Sequence, residues 1–299
     1  MIERLGKGAV KDSADTRDFK AESILSAIIV DWNKGFLLPD PGNEDQGTSD
    51  SCVSQAWSYY HHQLKPKDFS RRDLFARIAL NYGAEIRDGG KAIVNEGQAT
   101  RDEVPDPSPQ TPQNMRDKTG ITLEKEASDK ELNYFVIPGG NNGIDLVAGA
   151  IQAYKGVVFG VQGTNAGWQD LENPRPPSYG ESGGWGHALY AMGFHLHDGQ
   201  KCIIAKPSWC NVMGDKKHHI KQNYFDSGNT FNAWTLIPKG EEMSNAIFVK
   251  KAGTIEHGFY FPKTSEESLK DMALNIGRTD ILKPDGSVDF TKAKEVQGL

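Results

Sequence analysis

Apolar positions at helical spacing occupy the first part of this chain, and short apolar runs occupy the second. Ser51 to Leu64 reads as a helix that ends before Pro66, with Trp57 and Tyr60 in the core. Ser70 fits an N-cap for a second helix running through Leu74, Phe75, Ile78 and Ala79. Ile86 to Asn95 predicts a third helix, stopped by Gly97, and Ile144 to Tyr154 a fourth. Then the period changes. Gly156 to Val161 reads as a buried strand, and Ala188 to Leu196, Lys201 to Ala205 and Asn232 to Ile237 as three more. Helices followed by strands predict an α+β fold.

The connecting segments are polar or rich in turn formers. Residues 1–20 carry Asp12, Asp15, Arg17 and Asp18 and read as a surface arm. Ala21 to Val30 fits either a short helix or a strand. Leu38 to Asn43 is a turn-rich approach to the first helix, and Pro105, Pro107, Pro109 and Pro112 exclude regular structure between them. Thr164 to Gly184 reads as a long loop. Beyond residue 240 the chain looks separate, with a strand at Gly258 to Phe261, a capping box at Thr264 to Glu267 opening a helix that stops at Gly277, and a turn at Pro284 to Gly286.

Charge and composition narrow the function. The net charge of −6 argues against a nucleic-acid surface. No apolar run approaches the length of a membrane span, so no membrane partner is expected. The first residues do not read as a signal peptide. Three cysteines cannot all pair within one chain; Cys202 and Cys210 could bridge, but three thiols in a reducing compartment fit better. Cytoplasmic synthesis is therefore expected, with later release or assembly into a particle such as a virion left open.

The candidate chemistry lies in two segments. Asp45 to Trp57 places Cys52 at a helix start, where unpaired N–H groups and the helix dipole favour a thiolate. Gln46, six residues upstream, offers an amide to a developing oxyanion. Gly183 to Gly193 puts His187 at the start of a strand after a glycine loop, and a nucleophilic thiol needs such a base. His195 and His197 share a strand face, but two histidines without a third ligand at metal spacing do not make a site. No metal and no cofactor are expected. His218 and His219 read as solvated.

Together these blocks resemble the papain-like cysteine peptidases of the C1 type, in particular a bacterial and viral branch without a long propeptide. Val30 to Gly35 resembles the start of the mature enzymes. Gln46-Gly47 through Ser51-Cys52 resembles the oxyanion and nucleophile block, Gly186-His187-Ala188 the histidine block, and Lys206 to Trp209 with Gly214 the Asn-Ser-Trp-Gly block. Gly83 to Asn95 resembles the glycine-led helix lining the non-primed cleft. The resemblance implies two lobes, helical over about 45–110 and rich in antiparallel strands over about 115–240, with the N-terminal arm added to the second. Residues 241–299 would then be a C-terminal extension with a docking partner of its own.

By the same resemblance Cys52 is the nucleophile, His187 the base and Gln46 the oxyanion donor, while Gly83, Trp185 and Met213 line the substrate site. Three positions depart from the pattern. Pro207 replaces the asparagine that orients the histidine, so that role falls to Asn211 or to a main-chain carbonyl. Met213 replaces a tryptophan, and Ser49 a disulfide-forming cysteine. The implied activity is cysteine endopeptidase, acting on peptide or protein substrates. A non-catalytic papain-like module of a larger assembly, and an amidase using the same pair, are the alternatives.

Overall fold

The computed structural model describes residues 5–13, 15, 18, 21, 25, 28–121, 132–138, 143–239, 246–251 and 254–260, the last two segments as backbone. In chain order the early elements are β1 (Ala9–Val10), β2 (Phe36–Leu37), α1 (Cys52–Leu64), α2 (Arg71–Ile78), β3 (Ala84–Glu85), α3 (Ile86–Glu96) and α4 (Pro112–Met115). They are followed by β4 (Leu132–Ile137), α5 (Gly143–Tyr154), β5 (Val157–Gly163), β6 (Trp185–His197) and β7 (Gln200–Lys206). Next come α6 (Cys210–Met213), β8 (His218–Lys221), α7 (Gln222–Asp226), β9 (Thr230–Pro238), β10 (Ala246–Lys251) and β11 (Thr254–Tyr260). The fold class is α+β, as expected.

The helices end where the sequence says they should. The Ser70 hydroxyl accepts from Asp73 N at 3.0 Å and opens α2. Gly97, at φ +77°, closes α3 in a conformation that favours glycine. α3 also carries Gly89 inside it, at a cost of about 1 kcal/mol against alanine. The reason is close packing: a Cβ on Gly89 would stand 2.2 Å from the Trp57 ring of α1. The Trp57 indole N–H also donates to Ile86 O at 2.8 Å, so α1 and α3 are locked together.

Among the described residues the main sheet has seven strands, in the order β4-β9-β5-β6-β7-β8, with β2 paired to β6. The pairs from β9 through β8 are antiparallel. α1 packs on this sheet through stacked aromatics: Trp57 on Tyr60 at 5.9 Å, and Tyr60 on Tyr190 of β6 at 5.7 Å. All three are fully buried, as read for Trp57 and Tyr60. β6 carries His187 near its start and His195 and His197 at its end. A register irregularity between Ala191 and Gly193 bends it between these two regions.

Two readings change. His218 and His219 are not both solvated: on β8 their side chains alternate, His218 being buried in the core and His219 half-buried. Residues 5–13 do not run over open surface; they thread through the body of the protein, as described below. The chain forms two compact units, residues 1–20 with 30–237 and residues 21–29 with 238–299. In the second, Leu25 N donates to Ala21 O at 2.9 Å, and β10 and β11 form an antiparallel pair with an irregularity at Val249/Lys250. β11 covers the strand expected from Gly258. The expected helix at 264–277 and turn at 284–286 lie outside the described residues. No helix among the described residues is long and apolar enough to cross a membrane.

Candidate active site

The loop before α1 is pinned to the turn that follows β7. Gln46 N donates to Ser208 O at 2.8 Å, and Cys210 N to Glu44 O at 3.2 Å. Buried serines brace it from within: Ser49 Oγ donates to Gln46 O at 2.7 Å and shares a 2.7 Å hydrogen bond with Ser51. Hydrogen bonds thus do here what a disulfide at residue 49 would do. All three cysteines are free thiols. Cys52 is the first residue of α1, and its Sγ accepts from Ala188 N at 3.4 Å. That bond sets the sulfur against the residue next to His187.

His187 is held by rings. Its imidazole stacks on Trp209 at 4.1 Å with an interplanar angle of 18°, and Trp168 and Trp185 meet it edge-on at 6.1 and 6.4 Å. Neither ring nitrogen has a hydrogen-bond partner among the described residues. Pro207 has no side chain to offer one. Gln46 is oriented from the same turn: Ser208 Oγ donates to its Oε1 at 2.5 Å, and its Nε2 donates to Ser49 O at 2.8 Å. The second amide hydrogen remains available to a substrate oxygen.

Cys52 is thus linked to the His187 strand through Ala188, and Gln46 and His187 both meet the turn of Ser208 and Trp209; the other sequence-derived candidates are placed as follows. Asn211 sits on the exposed side of α6, where its amide donates to Asp45 and not to His187. Gly83, at φ +68°, stands at the arm, its N–H donating to Asp50 Oδ2 at 2.7 Å. Trp185 lies under the Lys7 ammonium, 4.7 Å from the ring centre. Met213 is buried in α6, its N–H donating to Trp209 O at 3.0 Å. Trp209, Ser208 and Asp50 were not singled out from sequence, although the first two stand in the block that was.

Residues 5–10 cover this group. Gly6 N donates to Gly47 O at 3.0 Å, Trp209 Nε1 to Gly6 O at 2.9 Å, Gly8 N to Gly186 O at 3.1 Å and Ala84 N to Gly8 O at 2.9 Å. β1 then pairs parallel with β3, Ala9 opposite Ala84. The approach is backbone to backbone. A Cβ on Gly6 would stand 1.8 Å from Ser49 O, and one on Gly8 2.2 Å from Asp50 O. Further on, Asp12 accepts from Trp234 Nε1 at 2.7 Å and from Arg87 N at 3.2 Å.

The cover sets the protonation of the pair. Cys52, His187 and Gln46 have no exposed surface. Burial pushes the Cys52 thiol up to about 12, against the N–H groups of Ala188, Val53 and Ala9 that favour the thiolate and with the Asp50 charge that opposes it. Burial, together with His218 and Lys7, holds His187 well below the ordinary histidine range. Thiol and imidazole are both neutral.

Solved structures share this fold. Xylellain, a cysteine protease from Xylella fastidiosa, superposes at TM-score 0.61 over 79% of this chain and 97% of its own, with 20% identity. The fold is papain-like. The ragweed pollen allergen Amb a 11 cysteine protease in its proform matches at TM-score 0.55 and 16% identity, over 73% of this chain and 70% of its own. ProCathepsin B S9 from Trypanosoma congolense matches at TM-score 0.55 and 13% identity, over 80% and 88%. No protein-family model and no curated protein sequence matches the chain.

Proposed function

We propose that this protein is a papain-like cysteine endopeptidase held latent by residues 5–13. What supports this reading is the placement of Cys52 Sγ against the residue next to His187, with Gln46 buried nearby and the glycine-rich arm hydrogen-bonded to Gly47, Trp209 and Gly186 around them. With the arm withdrawn, water reaches the pair, the burial penalty falls, and the helix N-terminus favours the thiolate. Cys52 Sγ gives its proton to His187 and attacks the scissile carbonyl carbon. The oxyanion is held by Gln46 Nε2 and the Cys52 N–H. His187 returns the proton to the leaving amine, and water, deprotonated by His187, hydrolyses the thioester. Stacking on Trp209 would hold the imidazole plane in place of the missing asparagine. Two of the matching structures are of cysteine proteases in a pro-form, which supports reading this chain as a latent one.

A second reading rests on a specific observation: His187 has no hydrogen-bond partner among the described residues, as a papain-like frame kept only for binding would allow. A thiol-directed epoxide separates the two. The endopeptidase reading expects Cys52 to be labelled once the arm is displaced, in step with cleavage of a denatured protein substrate. Displacement that leaves Cys52 unlabelled and the substrate intact selects the binding module. Labelling with turnover of small amides but not of peptides selects an amidase.

A further inference from the structure

The end of β6 away from His187 gathers nitrogen and sulfur donors from three strands. His195 stands directly across from Cys202 on β7, and Ile204, two residues on, stands across from His219 on β8. Side chains two apart share a sheet face, so His195, His197, Cys202 and His219 lie on one face. The donor atoms of His195, Cys202 and His219 lie within 4.8 Å of one another. The His197 ring is 4.7 Å from that of His219 and 5.6 Å from that of His195. His195 Nε2 and His219 Nδ1 are buried and without a hydrogen-bond partner among the described residues. The Cys202 thiol meets its neighbour's carbonyl, Ile203 O, at 3.6 Å. Buried polar nitrogens left unpaired in this way are uncommon and call for an explanation.

We propose that His195, Cys202 and His219 bind a divalent ion of the zinc class, with His197 as the fourth donor. Two or three imidazoles and one thiolate suit zinc, whereas calcium and magnesium want oxygen ligands. Donors at roughly 2.0–2.3 Å from a tetrahedral ion lie roughly 3.3–3.8 Å apart, so the group closes by roughly 1 Å, through rotation of His195 and His219. Lys221 lies across from Cys202 on β8. Binding transfers the Cys202 proton to solvent and forms a sulfur–metal bond, with no change of oxidation state. The ion would tie β6, β7 and β8 together at the far end of the strand that carries His187. The site stands apart from the proposed active centre.

Cobalt(II) is the probe, added to full-length, untagged protein carrying Cys52→Ala so that the active-site thiol cannot bind it. A thiolate-to-cobalt charge-transfer band with tetrahedral visible bands is expected, and zinc should displace both. Cys202→Ser should abolish the charge-transfer band, Cys210→Ser should leave it, and His195→Ala or His219→Ala should each weaken cobalt binding at least tenfold. Should Cys202→Ser fold poorly by circular dichroism, Cys202→Ala and the two histidine variants carry the test. Absence of the band in the Cys52→Ala protein overturns the proposal. So does its survival in a folded Cys202 variant, or its loss in Cys210→Ser.

Discussion

Substituting Gly8 by alanine puts one methyl group where the structure has no room for it. The new Cβ would stand 2.2 Å from Asp50 O, a backbone atom at the end of the loop before α1. That loop is braced by the Asp50–Arg116 pair and cannot yield cheaply. The arm must leave instead. Leaving breaks Gly8 N to Gly186 O at 3.1 Å and Ala84 N to Gly8 O at 2.9 Å. At about 1 kcal/mol per bond the loss is about 2 kcal/mol, and about 4 kcal/mol if Gly186 O and Ala84 N stay buried and unpaired. Alanine also stiffens the free arm, which favours seating by about 0.4–1 kcal/mol, too little to reverse the sign. The net of about 1–3.6 kcal/mol should raise the open population roughly 5- to 400-fold, at about 1.4 kcal/mol per tenfold. The assay is the rate of epoxide labelling of Cys52, read beside peptide cleavage. Gly6→Ala should act in the same direction, since its Cβ would stand 1.8 Å from Ser49 O. Lys11→Ala, at an exposed arm position, should do nothing. If both glycine variants fold and label no faster than the Lys11 control, the arm is not what closes the site.

Three further outcomes are expected, each measured on the opened Gly8→Ala protein unless stated. Gln46→Ala should lower kcat on the order of 100-fold with little change in KM, and Ser208→Ala by a smaller factor, since Ser208 only aims the amide; equal losses would place Ser208 itself on the oxyanion. Trp209→Ala should lower kcat and broaden the pH profile's basic limb while Trp209→Phe restores most of the rate; full activity in the alanine variant would show that stacking does not orient His187. In the wild-type protein, latency should deepen as pH falls. Burial, with the Glu85 charge, raises Asp12 from 3.8 to about 6 against the hydrogen bonds of Trp234 and of the Arg87 and Ile86 amides. The seated arm therefore holds this proton more tightly than the free arm does. Seating gains strength as pH falls from about 6 towards 3.8, by on the order of 3 kcal/mol at most, and is level above about 6. Asp12→Asn should flatten the labelling rate between pH 4.5 and 7 (roughly the span over which the carboxyl ionises), and an unchanged slope would remove Asp12 from the latch.

What could be read from the sequence was local. Ser70, Gly97 and the residues before Pro66 fix helix ends within a turn, so α1, α2 and α3 were legible to within a residue or two. Cys52 with Gln46, and His187 after its glycine loop, are short-range constellations, and the fold sets Cys52 against the residue next to His187. What failed depends on contacts between distant residues. Asn211 was chosen for nearness in sequence to position 207, yet α6 turns it outward to Asp45. The stack of Trp209 on His187 joins two strands' ends, and the His195–Cys202–His219 face needs the register of three strands. β8 was missed because alternation over four residues is too short to separate from a loop.

The arm is the instructive case. Its contacts are backbone to backbone, so no apolar pattern marks it, and a polar, charged stretch reads as surface. The signal was the pair Gly6 and Gly8. Residues two apart on an extended chain face the same way, and two glycines there leave one face of the strand without side chains. A face stripped in this way allows a close approach of another backbone, as Gly6 makes to Ser49 O and Gly8 to Asp50 O. The same logic explains why Gly83 and Gly186 stand opposite: a Cβ on Gly83 would meet Gly8 O at 1.6 Å, and one on Gly186 would meet Ala9 O at 2.1 Å. Four glycines from three distant segments thus make one groove and the strand that fills it. A side chain at any of the four forces the same separation, so Gly186→Ala, on the groove side, should expose Cys52 as Gly8→Ala does from the arm. A double variant should then label no faster than the faster single, because a strand already displaced cannot be displaced twice; additive acceleration would mean that the two glycines report on different closures.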